Sequence, residues 1–160
     1  MNQTKRSPIL NWLMAFVASK PGVWFYKNIV RHLDAPLLRW SKGRINIAVG
    51  LPVMLVATIG AKSGEKRTQP LLVTIDSPNL ILIASNFGQT HHPSWYYNLR
   101  KNPLAEVTYQ GQTRTYHAHE ASGAERERCW ALALNLYAGY ANYQSRTARQ
   151  IPVMVLVPHE

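Results

Sequence analysis

Short β-branched runs punctuated by turn residues constrain this chain more than any other feature. Val53–Ile59 runs into Gly60, Gln69–Ile75 into Asp76-Ser77-Pro78-Asn79, and Leu80–Ala84 into Ser85-Asn86-Phe87-Gly88. Ala105–Tyr109 and Thr113–Ala118 are joined by Gln110-Gly111-Gln112. Runs of this length, separated by Gly, Pro, Asn and Asp, read as antiparallel strands linked by hairpins. Ile151–Val157 supplies a closing strand, and Pro152 marks either its start or an edge position. His92-Pro93-Ser94 opens a short helix over Trp95–Lys101, which Asn102-Pro103 closes. Ala121–Tyr137 reads as a longer helix, with Ser122 as cap and Glu125 three residues on, the spacing of a capping box. The expected fold is α+β, a small antiparallel barrel with flanking helices.

The part before the strands has a different character. Up to Ala48, eight basic residues (Lys5, Arg6, Lys20, Lys27, Arg31, Arg39, Lys42 and Arg44) face Asp34 alone. Ile9, Leu13, Phe16 and Val17 have helical spacing, and a second apolar pattern runs from about Val23 to Trp40, broken near Asp34-Ala35-Pro36. The apolar run Ile9–Ala18 is too short to span a bilayer, and Lys20-Pro21 stands where a signal cleavage site would need small residues. Residues 1–48 are therefore expected to form basic amphipathic helices. These either contact an anionic membrane or pack on the barrel, and residues 49–160 form the barrel domain.

A net charge of +10 on 160 residues calls for an anionic partner. Nucleic acid is disfavoured, because the basic residues are dispersed over amphipathic segments and no reader motif occurs. Cys129 is the single cysteine, which excludes an intramolecular disulfide and a cysteine-based zinc site and fits a reducing cytoplasm. It lies among apolar neighbours mid-helix, and no Gly-x-Ser-x-Gly elbow exists, so nucleophilic catalysis finds no support. His117 and His119 share one strand face, yet no carboxylate or cysteine cluster converges on them in sequence, and no metal is expected.

Three stretches carry chemistry. Gly60-Ala61-Lys62-Ser63-Gly64-Glu65-Lys66-Arg67-Thr68 joins two strands and combines glycines, hydroxyls and cations, the makings of a phosphate cradle. It lacks the spacing and following helix of a P-loop, and a solvated hairpin is the plainer reading of such a turn taken alone. Ser85-Asn86-Phe87-Gly88 places small polar groups at a strand end, where they can meet the edge of a planar heterocycle or simply form a loop. Tyr137, Tyr140 and Tyr143 follow a spacing of three around Gly139, which suits either a core aromatic stripe or phenols placed over a site.

Taken in order, these segments resemble the deazaflavin-dependent nitroreductase family, the F-420-dependent quinone and nitro reductases of the split β-barrel flavin-binding superfamily. The resemblance rests on Thr58-Ile59-Gly60-Ala61-Lys62-Ser63-Gly64 with Arg67-Thr68-Gln69-Pro70-Leu71, and on Ala84-Ser85-Asn86-Phe87-Gly88. It continues through His92-Pro93-Ser94-Trp95-Tyr96-Tyr97-Asn98-Leu99 with Asn102-Pro103, and through Tyr140-Ala141-Asn142-Tyr143-Gln144 before Arg149-Gln150-Ile151-Pro152.

The resemblance implies hydride transfer from the reduced deazaflavin coenzyme F-420 to a quinone or nitro acceptor. Lys62, Ser63, Arg67 and Thr68 would hold the phosphate and polyglutamate tail, and Pro70, Leu71 and Leu72 would line the strand beneath the ring. Ser85, Asn86 and Gly88 would meet the ring or its linker, with His92, Pro93, Trp95, Tyr96 and Asn98 as the opposite wall. Tyr137, Tyr140 and Tyr143 would close over the acceptor, with Tyr137, Tyr140 or Ser85 stabilising or protonating the product. The family usually carries Gly-Arg-Lys-Ser-Gly and a glycine at the second loop. Ala61 removes one cation here, and Phe87 adds bulk. Alternatives in the same fold are an FMN-dependent oxidoreductase and a non-catalytic carrier of a hydrophobic ligand at the membrane surface. A cytoplasmic location, peripheral on the inner membrane face, and a homodimer complete the expectation.

Overall fold

The computed structural model describes residues 51–159. The expected N-terminal helices fall outside these residues. Six strands close into an antiparallel barrel in the order β1-β2-β3-β6-β5-β4. They are β1 Val53–Ile59, β2 Lys66–Asp76, β3 Asn79–Ile83, β4 Leu104–Tyr109, β5 Gln112–Glu120 and β6 Val153–Pro158. Helix α1, Ser94–Lys101, connects β3 to β4, while α2, Gly123–Leu136, and α3, Gly139–Ser145, connect β5 to β6.

Sequence pattern explains which faces are covered. β5 alternates: only Tyr116 and Ala118 are buried, while Thr115, His117 and His119 face water. β3 and β6 read as continuous apolar runs because both of their faces are buried. Inward, Leu80, Leu82, Met154 and Leu156 join Met54, Val56, Val73, Val107 and Tyr116, and Trp95, Tyr96 and Leu99 of α1 belong to the same cluster. Outward, Ile81, Ile83, Val153 and Val155 pack against Cys129 and Ala133 of α2 and against Tyr137, Tyr140 and Tyr143. Each fully buried aliphatic side chain contributes roughly 1.5–3 kcal/mol, so this two-sided burial is the main source of stability.

Several boundaries differ from the sequence expectation. β2 begins at Lys66 rather than Gln69, because Ile59 pairs with Lys66 directly across the Gly60–Glu65 turn. Backbone pairing there is indifferent to the charged side chains that sequence patterning reads as loop. Pro70 is tolerated because β3 pairs with β2 only from Val73 onward, leaving the Pro70 stretch bonded on one side. Pro152 precedes β6, which lies between β3 and β5, so the strand-start reading holds and the edge reading does not. Ser122 stands at the N-cap of α2 but makes no side-chain cap bond. The capping box does not form, since the Glu125 carboxylate lies 3.1 Å from His119 Nε2 instead.

Candidate active site at one end of the barrel

The strand registers bring the singled-out stretches to one rim. Thr58 pairs with Arg67 and with Ala105, Ile83 with Val153, and Glu120 with Met154. The β1–β2 turn, the β3–α1 loop, the end of β5 and the start of β6 therefore all open at the same end.

The β1–β2 turn is held from within and from the side. Gly60 N–H donates to Glu65 O at 2.8 Å and Gly64 N–H to Gly60 O at 2.9 Å, with Gly64 at φ +71°. From α1, Asn98 Oδ1 accepts from Ala61 N at 2.9 Å, Asn98 Nδ2 donates to Thr58 Oγ1 at 3.0 Å, and Lys101 Nζ donates to Ala61 O at 2.7 Å. Both ends of the buried Asn98 amide are thus engaged in tying helix to turn. Lys62 is exposed, with no ion pair among the described residues. Arg67 pairs with Glu65 at 2.9 Å and Lys66 with Glu106 at 2.7 Å. Both are surface contacts worth about 1 kcal/mol or less, and an incoming anion can displace them.

Across the rim, the β3–α1 loop makes a tight turn through Asn86 and Phe87, at φ +45° and +58°. Asn86 Nδ2 holds His91 O at 3.1 Å. Gly88, at φ +77°, passes so close to α3 that an added Cβ would stand 2.6 Å from Tyr143 O. The loop is braced by a residue to which sequence reasoning gave no role. Arg149 Nη2 donates to Ala84 O at 3.1 Å and Ser85 O at 2.9 Å, and Nε to Gln89 O at 2.9 Å. Nη1 donates to His92 Nδ1 at 2.9 Å. The sequence signal was an arginine two residues before the fully buried Ile151, a position where a charge needs partners.

His92 packs on Tyr96 with ring centroids 4.6 Å apart and planes tilted by 41°, and meets Tyr97 edge-on at 5.7 Å. Together with Arg100 and Lys101 these side chains line a shallow, open cleft of about 580 Å³. Tyr96 OH donates to Glu120 Oε2 at 2.9 Å and accepts from Arg100 Nη1 at 3.0 Å. Burial pushes the His92 imidazole below its ordinary value, and the Arg149 guanidinium acts in the same direction. Burial pushes the Tyr96 phenol up.

The remaining expected residues divide by position. Lys62 and Ser63 lie on the turn and Arg67 and Thr68 at the adjoining start of β2, with Ser85, Asn86, Gly88, His92 and Pro93 on the facing loop. Leu71 packs on the barrel interior and Leu72 on the outer clusters, with half-buried Pro70 beside them in β2. Trp95 points into the barrel core. Tyr137, Tyr140 and Tyr143 are buried as one group, with Tyr137 OH 3.1 Å from Tyr143 OH. Phe87 meets Tyr143 edge-on at 5.9 Å, so this group packs against the loop from the α3 side. Burial pushes the Tyr143 phenol far above its ordinary value, and the neighbouring Tyr137 adds to this. His117 lies beside His159, and among the described residues no cluster of three or more histidine, cysteine or carboxylate side chains forms.

Comparison with known proteins places these features in context. The family model described as F420H(2)-dependent quinone reductase matches residues 31–158. An F420H(2)-dependent quinone reductase of Mycobacterium tuberculosis (strain ATCC 25618 / H37Rv) is 35% identical over 139 residues, covering 79% of this chain and 93% of the relative. A solved F420-H2 dependent reductase (FDR-A) aligns with TM-score 0.61 and 40% identity over 66% of this chain and 93% of its own. A second solved structure, described as a domain-swapped dimer, gives TM-score 0.64 and 34% identity over 86% of this chain and 99% of its own.

Proposed function

From the premise that the chain belongs to the F420H(2)-dependent quinone reductase family, we propose a division of labour among the residues at this rim. The chain is an oxidoreductase that passes a hydride from reduced coenzyme F-420 to a quinone. A nitro compound as alternative acceptor is part of our reading. The observation that carries it is the convergence, on one barrel end, of the cationic β1–β2 turn and the Arg149-braced loop.

The donor set at the turn fits a phosphate-bearing coenzyme. Lys62 is exposed, the Ser63 hydroxyl is at the surface, and among the described residues Arg67 pairs with the exposed Glu65 carboxylate. Lys62, Ser63, Arg67 and Thr68 hold the anionic part, and Ser85, Asn86, Gly88 and His92 with its neighbours form the wall toward the ring. When bound, the reduced coenzyme supplies the hydride. The protein excludes water and stabilises the charge that develops on the acceptor oxygen. Ser85, half-buried on the β3–α1 loop, offers a hydroxyl at the rim. Tyr137, at the C-cap of α2, and Tyr140, in α3, are buried and are the other hydroxyl candidates for that oxygen. The Tyr137 and Tyr143 hydroxyls lie 3.1 Å apart and share a hydrogen bond in which either can donate.

Among the described residues no helix is long and apolar enough to cross a membrane. We read the basic, Trp-containing stretch up to Ala48 as a peripheral contact with an anionic membrane on its cytoplasmic face, where a lipophilic quinone resides. A homodimer belongs to the same reading and draws support from the domain-swapped relative. The coenzyme assignment is tested by titrating the purified full chain with F-420 and, separately, with FMN, followed by fluorescence. Tight F-420 binding with weak FMN binding is expected. The reverse preference would move the protein to a flavin-dependent branch of the same fold.

A further inference from the structure

Arg149 lies outside the turn and helix that carry the expected coenzyme contacts, yet four of its hydrogen bonds converge on the β3–α1 loop. It reaches the strand end (Ala84 O, Ser85 O), the loop centre (Gln89 O) and the ring of the residue that starts the helix approach (His92 Nδ1). An arginine has no acceptor, so His92 Nδ1 must carry the lone pair in this contact. The ring is then neutral, with its proton on Nε2, and Nε2 has no hydrogen-bond partner among the described residues. The tautomer follows from geometry.

We propose that Arg149 is a positioning residue: it braces the loop from behind and fixes His92 as an Nε2–H donor facing the cleft formed with Tyr96, Tyr97, Arg100 and Lys101. This rests on the reading of that loop as the wall of the coenzyme site. The ligand chemistry the donor suits is an oxygen acceptor on the anionic coenzyme, in a cleft already carrying Arg100 and Lys101. A protonated His92 loses its Arg149 contact, because a second N–H then faces the guanidinium at 2.9 Å. The groups that bear on that protonation are Arg149 from the α3–β6 connection, Glu120 from β5, Arg100 from α1 and His91 from the loop. Only Glu120 favours the charged ring. Coenzyme binding therefore weakens on acidification through the His92 titration, although the rising positive charge of the protein would by itself strengthen binding of an anion.

The test uses the full chain with ¹⁵N-labelled histidine. Its tautomers are read by long-range proton–nitrogen correlation, and F-420 affinity is measured by fluorescence from pH 5 to 8. Wild type is expected to show His92 as the neutral Nε2–H form, with affinity falling below the midpoint of its titration. In Arg149→Lys and Arg149→Ala the tautomer becomes mixed, the midpoint rises, and coenzyme binding weakens about ten-fold or more. Low-millimolar guanidinium is expected to restore tautomer and affinity together in Arg149→Ala, which repair of a general folding defect would not do. An unchanged His92 tautomer in both variants overturns the proposal, as does an altered tautomer with unchanged affinity. Should Arg149→Ala fail to fold, Arg149→Lys and the wild-type pH profile decide. A wild-type affinity that rises steadily with acid overturns it. Failure of wild type to bind F-420 at all overturns the coenzyme reading itself, whatever the tautomer shows.

Discussion

Replacing Asn98 by leucine tests whether α1 and the β1–β2 turn are one mechanical unit. The substitution keeps the branched shape of the side chain and removes only its hydrogen bonds. Two partners lose their contact: Thr58 Oγ1, on a residue 1% exposed, and the half-buried Ala61 N–H. A buried polar group left unpaired costs about 1–3 kcal/mol, and a half-buried one less, so the loss should total about 2–4 kcal/mol. At this chain length that lowers Tm by about 6–12 °C, and in urea it moves the midpoint without changing the slope. Thr58→Val placed on top of Asn98→Leu removes the stranded hydroxyl and should return about 1–2 kcal/mol, a coupling that a double-mutant cycle reads directly. Coenzyme affinity should fall in Asn98→Leu and stay low in the double variant, because the Ala61 amide and hence the turn remain untied. A single variant within about 0.5 kcal/mol of wild type, or strictly additive effects, would refute this reasoning.

Other perturbations follow from the same geometry. Ala61→Arg adds a cation to the turn while leaving its backbone contacts to Asn98 and Lys101 in place, so coenzyme binding should tighten about two- to five-fold at low ionic strength and lose that gain in high salt. Gly88→Ala combines φ +77° with an approach to Tyr143 O, and should destabilise the chain by about 1–3 kcal/mol in urea unfolding and loosen α3. His92 has its folded value lowered, so its contribution to stability is complete above the ordinary imidazole value, about 6.5, and is lost as pH falls through the lowered one. His92→Asn should flatten that part of the stability–pH curve below about pH 6.5. Tyr137→Phe should lower turnover more than coenzyme affinity; unchanged turnover removes Tyr137 from the proposed chemistry.

The barrel was legible because its strands alternate or run apolar in registers that turn residues delimit, as in β1 and β5. The ends of β2 were not, since pairing across the Gly60–Glu65 turn is a backbone matter that Lys66 and Arg67 do not advertise. The candidate stretches could be picked out of the sequence, but not what each of their side chains does in the fold. Asn98 and Trp95 share one helix, yet one ties the turn and the other fills the core. The tyrosine spacing favoured a core stripe but left a site cover open. The structure gives a packed cluster that also touches the β3–α1 loop through Phe87 and Gly88. Arg149 was invisible as a brace because its partners are four groups spread over Ala84 to His92, more than fifty residues away in sequence.

The central claim is most directly tested by mixing the purified full chain with reduced F-420 and a soluble quinone and following reoxidation of the coenzyme. The account predicts catalysed oxidation that depends on both enzyme and quinone, with no comparable rate when reduced FMN replaces the deazaflavin. Oxidation no faster than without protein, across quinones of differing potential, would contradict it.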